Sequence, residues 1–154
     1  MGTTPGPHRR LVPFVGVTPA GVAFAMVFHL WLDPPLRLRT PEDYPTTLIQ
    51  WLALTLFTLA FNQLYLVFAA FAWFVRLFQH TGRAAVLTVL FGVFVLVIKS
   101  NDSPSPMPAV LLAGLLVSRA AMGALSLYCY LRGGLLLAWW WGFLLQSRHL
   151  WTLL

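Results

Sequence analysis

The sequence predicts an all-α integral membrane protein: a four-helix transmembrane bundle with an apolar, Trp-rich C-terminal helix. Three observations predict it. Of 154 residues, 59% are hydrophobic and only 9% are charged, whereas a soluble domain carries about 25% charged residues. Four stretches are nearly charge-free over the roughly 20 residues a spanning helix needs. Segments rich in proline, glycine or cations separate them. A single membrane domain, 1–154, accounts for the length, with spans expected at about 11–32, 47–75, 82–99 and 107–131 and a tail helix at about 135–154.

Leu11 to Leu32 has no formal charge and makes the first span. Pro13 falls in its first turn, where a missing N–H does no harm, and Pro19, between Gly16 and Gly21, predicts a kink. Asp33 to Asp43 (DPPLRLRTPED) reads as a proline-rich extended loop. Tyr44 to Val75 is uncharged and longer than one span requires, which implies tilt or an interfacial first turn. Tyr44, Trp51 and Trp73 sit at its ends, where aromatic belts form. Arg76 to Arg83 is a short basic turn. Ala84 to Ile98 is short, but Arg83 and Lys99 can extend their stems along it to reach the boundary. Ser100 to Pro106 makes a tight turn into the fourth span, Met107 to Leu131.

The fourth span is the predicted packing helix. Arg119 lies near its middle, where a lone cation costs roughly 3 kcal/mol on insertion scales and should face protein or water. Gly114, Ser118, Ala120, Ala121, Gly123 and Ala124 surround it, and small side chains let a second backbone approach closely. Gly133-Gly134 should break this helix. The tail beyond could be an interfacial helix, a fifth span containing Arg148 and His149, or a segment buried against a partner. Leu135 to Leu145 has no charged face, so burial against partner helices or lipid is favoured. Trp139, Trp140, Trp141 and Trp151 are therefore candidate interfacial or partner-facing aromatics.

Four spans group Arg9, Arg10, Arg76, Arg83, Arg132 and Arg148 on one side and Arg37, Arg39 and Lys99 on the other. The positive-inside rule then predicts both termini on the cytoplasmic or matrix side. Asp33, Glu42, Asp43 and Asp102 fall opposite, and solvated loop charge is the expected role of these acids. The net charge of +6 comes without a cation run beyond Arg9-Arg10, so nucleic acid is not an expected partner. A signal peptide, N-myristoylation at Gly2 and glycosylation at Asn101-Asp102-Ser103 are each poorly matched by the flanking residues.

Catalytic, metal and cofactor sites are not expected. No carboxylate lies inside a predicted span, the single Cys129 has no pairing partner, and His8, His29, His80 and His149 are far apart. His29 beside Trp31 reads as a boundary histidine rather than a haem ligand. What remains is an intramembrane polar set for helix association: Arg119, Asn62, Gln63, Gln50, Gly114 and Ser118. Arg119 either donates to Asn62, Gln63 or helix carbonyls of its own bundle, or binds a lipid headgroup, an ion or a partner's carboxylate.

Several landmarks recur in order: Leu48-Ile49-Gln50, Leu77-Phe78 with His80, Val86-Leu87-Thr88, Arg119, Leu127-Tyr128-Cys129-Tyr130 and Leu150-Trp151. In this order they resemble the transmembrane protein 138 family, small four-span proteins of the ciliary transition zone. Arg119 is about one turn further from Tyr128-Cys129-Tyr130 than in that family, and Trp139-Trp140-Trp141 stands where the family is polar. The resemblance implies a non-catalytic protein that assembles or scaffolds a membrane complex at the ciliary gate, with other membrane proteins and lipids as partners. The alternative is an accessory structural subunit of a bioenergetic complex in the mitochondrial inner membrane.

Overall fold

The computed structural model describes residues 7–101 and 107–153, and every regular element among them is helical. Four helices are long and apolar enough to cross a membrane: Phe14–Arg37, Leu48–Phe78, Thr81–Ser100 and Ala109–Thr152. Multi-pass membrane architecture follows. Asp102 and the centre of the turn expected at Ser100 to Pro106 lie outside the described residues.

The first span is longer than its charge-free run. Helix α1 (Pro7–Val27) continues through a π-helical turn, Phe28–Leu32, into α2 (Asp33–Arg37). The loop expected from Asp33 onward is thus partly helix, and the reason is local. The wide turn lets the Asp33 N–H reach back to the Phe28 carbonyl, five residues earlier. Pro34 and Pro35 then fall in the first turn of α2, where a helix needs no amide donors. Pro19 does not interrupt α1 either, and the Thr18 hydroxyl beside it donates to the Phe14 carbonyl at 2.7 Å. Side-chain hydroxyls of this kind help a membrane helix to tolerate proline.

The second span comprises α3 (Leu48–Phe57), a π-helical stretch Thr58–Ala69, and α4 (Ala70–Phe78). Its start carries a variant of the capping box, in which the Gln50 side chain reaches Thr46, one residue before the cap. Thr47 Oγ1 accepts from the Gln50 N–H at 3.2 Å, while Gln50 Oε1 accepts from the N–H and hydroxyl of Thr46, each at 2.8 Å. Gln79 adopts a left-handed conformation (φ 53°) and ends α4 by donating its N–H to the Val75 carbonyl. His80 Nδ1 then accepts from the Arg83 N–H at the start of α5 (Thr81–Asn101). The expected basic turn therefore contracts to two residues.

Helix α6 (Ala109–Ser147) is broken at Gly134, whose φ of 72° and ψ of −165° only glycine adopts without strain. That break matches the expectation from Gly133-Gly134. A short 3₁₀ turn, Leu150–Thr152, follows.

The described residues fall into two compact units. One comprises the described residues through Thr55 together with those from Cys129 onward, and the other comprises Leu56–Tyr128. In the second unit, α4 and α5 form an antiparallel hairpin, with Phe74 edge-on to Phe91. The Val89 side chain rests against Gly123 of α6. In the first unit, the α6 segment after Gly134 packs along α1 and runs in the same direction. Trp140 Nε1 donates to Thr18 Oγ1 at 3.0 Å, Phe24 packs against Trp141, Leu144 fits the space left by Gly21, and Arg148 reaches Asp33.

In this register Arg148 lies at the Asp33 end of the first span, the end opposite Pro7. The break at Gly134 and the missing side chain at Gly21 let the tail lie along α1.

Candidate functional site: a buried carboxylate and a half-buried guanidinium

Asp33 is 2% exposed, and an ionised carboxylate so placed must collect donors or be too costly to keep. It collects them from three directions. The Tyr44 hydroxyl donates to Oδ1 at 3.1 Å. The Arg148 Nε–H donates to Oδ1 at 3.3 Å, with Oδ2 at the same distance. From one turn earlier on the first span, His29 Nδ1 approaches Oδ2 to 3.8 Å. Burial comes first, then the Asp33 charge and its hydrogen bond, in pushing the Tyr44 hydroxyl well above its ordinary pKa. At neutral pH Tyr44 therefore remains a proton donor.

Rings and cations close the shell. The Arg37 guanidinium lies over the Tyr44 ring at 4.9 Å, and that of Arg148 over Phe28 at 5.3 Å. His149, 3% exposed, meets the Tyr44 ring edge-on, and Trp151 does the same to His29. Asp33, Tyr44 and Arg148 thus bind the first span, the loop after it and the end of the tail into one cluster.

Neighbouring groups satisfy the carbonyls at the C-terminal end of α6, which a low-dielectric setting makes costly to leave unpaired. The Ser147 hydroxyl donates to Leu144 O, Arg148 Nη1 to Leu145 O at 3.0 Å, and Trp51 Nε1 to Gln146 O at 2.9 Å. Arg148 therefore does two things at once: it neutralises Asp33 and caps its own helix.

The predicted polar set divides between the units. In the Leu56–Tyr128 unit, Gln63 is buried in the π-helical stretch and donates through Nε2 to Ser126 Oγ at 3.1 Å. Asn62 is half-buried beside it. Arg119 is half-buried, and its Nε–H donates to the Gly92 carbonyl at a long 3.4 Å. That carbonyl belongs to the expectation of internal donation; Asn62 and Gln63 do not receive the bond. Ser118 donates to Gly114 O at 2.6 Å, so this pair is satisfied along its own helix. Gln50 is exposed, and its Oε1 sits in the capping box rather than in a helix interface.

The tryptophans also separate. Trp141 is 1% exposed and packs on Phe24, so it is a core residue of its unit and not a partner-facing one. Trp140 and Trp139 are half-buried, with Trp140 bonded to Thr18, while Trp151 is exposed. The carboxylate cluster itself is absent from the predicted set, because Asp33 reads as a solvated loop acid. Its signal in the sequence is modest: one acid directly after the first apolar run and one cation directly after the last.

Chemically the cluster is a fastening. Among the described residues no group of three or more His, Cys, Asp or Glu is arranged to hold a metal ion. No protein-family model, curated protein or solved structure matches this chain.

Asp33→Leu strands the Arg148 charge and should cost about 3 kcal/mol or more, the scale for breaking a buried pair. Adding Arg148→Met should recover most of that loss. Reversible unfolding in mild detergent measures both, and equal stability of the single and double variants would show that the two residues are not coupled.

Proposed function

We propose that this chain is a non-catalytic, multi-pass membrane protein that works by lateral association within a larger membrane complex. Arg119 carries the reading. A guanidinium midway along an apolar span is costly when it faces lipid. Among the described residues no carboxylate lies within ion-pair reach of it, and the one acid inside a candidate span, Asp33, is already paired with Arg148. Asp33 and Arg148 thus neutralise each other within the chain, whereas the Arg119 guanidinium keeps a single long bond to a backbone carbonyl. On the strength of the ordered landmarks around Gln50, His80, Arg119 and Cys129, we assign the complex to the ciliary transition zone. Gentle native purification with mass spectrometry should recover the chain in an assembly much larger than 17.3 kDa that contains transition-zone membrane proteins. Respiratory-chain subunits in that assembly would move it to the mitochondrial inner membrane. A monodisperse monomer would overturn the association reading itself.

We infer further that the two ends of the chain face opposite sides of the membrane. The parallel run of the tail along α1, ending with Arg148 at Asp33, supports this. Epitope tags placed before Pro7 and after Leu154 should be digested by protease from opposite sides of sealed vesicles. Digestion of both from one side would contradict the inferred topology.

A further inference from the structure

Arg119 is half-buried, and its one hydrogen bond runs from Nε to Gly92 O. Its terminal nitrogens are neither bonded nor enclosed by the chain among the described residues. The guanidinium lies beside Gly92, where a Cβ would stand at ordinary contact distance, 3.5 Å from Nε and 3.8 Å from Nη2. The group lies against the Gly92 backbone with its terminal nitrogens unbonded, and these form the fork of donors that matches a carboxylate.

Depth decides what can fill that edge. Arg119 is ten residues into a helix that starts at Ala109, about 15 Å at 1.5 Å per residue, in a hydrocarbon layer about 30 Å thick. A lipid phosphate stays near the boundary, beyond an arginine's reach from this depth. A carboxylate on another membrane-spanning helix can sit at this depth. Among the described residues a second copy of this chain does not provide one: Asp33 is enclosed and bonded to Arg148 and Tyr44, and Glu42 and Asp43 fall outside every candidate span.

We propose that Arg119 is the docking residue for a different membrane protein, one that presents an Asp or Glu at mid-depth on a transmembrane helix. The inference rests on the association reading and names the partner's chemistry. The partner's carboxylate takes the two terminal nitrogens, while the Gly92 carbonyl holds Nε and fixes the plane of the fork. The partner's acid and Arg119 neutralise each other, so neither needs to face lipid.

The test uses the full chain in its native membrane, with Arg119→Met and Arg119→Lys variants. Methionine keeps length without charge and suits the bilayer, so comparable membrane levels of the variant establish that it inserts. Crosslinking mass spectrometry on the unmodified complex identifies the helix opposite Arg119. Arg119→Met should reduce recovery of that partner on the order of thirtyfold, the lower range for removing one member of a buried, hydrogen-bonded charge pair. Arg119→Lys should retain part of it, and neutralising the partner's intramembrane acid to Asn or Gln should reproduce the loss. Arg119→Glu paired with a basic residue at the partner's position should restore recovery. Full recovery with Arg119→Met, or an opposing helix without an acid, would overturn the proposal while leaving the association reading intact. Failure to find any stable complex would remove both.

Discussion

A carboxylate removed from water has to be surrounded by donors, and that constraint organises half of this molecule. Asp33 is enclosed at the end of the first span, and the groups that make its burial tolerable come from distant parts of the sequence: Tyr44 from the following loop and Arg148 from near the C-terminus. An ion pair of this kind adds little net stability, because desolvation offsets much of the attraction. Its effect is on geometry. Of the positions the apolar tail could take along α1, the one observed matches a cation to the buried acid. The same position seats Leu144 over Gly21 and Trp140 on Thr18.

The two units show opposite treatments of the same problem. Around Asp33 the chain supplies partners from within, down to the carbonyls at the end of α6, which Ser147, Arg148 and Trp51 satisfy. Around Arg119 it supplies only one backbone carbonyl, that of Gly92. Where lipid removes any hydrophobic force between helices, unsatisfied polarity and close backbone packing are what remain to drive association. That contrast, rather than the apolar surface common to any spanning helix, is what points from Arg119 to a partner.

Much of the architecture was legible because hydrocarbon thickness sets the length of an apolar run. The uncharged segments and their separators located four spanning helices, and Gly133-Gly134 located the break in α6. The extent of the first span was not legible, since Pro34 and Pro35 mimic a loop unless a π-helical turn has already placed them where amides are unneeded. Gln50 looked like a helix-packing polar group because composition does not distinguish a cap from an interface. The carboxylate cluster was hidden for a deeper reason: Asp33 and Arg148 are 115 residues apart, and no local pattern joins them. Counting cations by side treats Arg148 as a charge that answers only to the membrane, whereas in the structure it is bonded to a carboxylate.

The central claim is the parallel register of the tail on the first span. Leu144 Cβ lies 3.0 Å from where a Cβ on residue 21 would stand, about half an ångström short of the range a disulfide bridges, so a small outward shift brings two cysteines into register. A Gly21→Cys, Leu144→Cys chain, with Cys129→Ser to remove the native thiol, should form an intramolecular disulfide on mild oxidation in the membrane. Two thiols that stay free under conditions that oxidise exposed cysteines would contradict the register and every inference drawn from it.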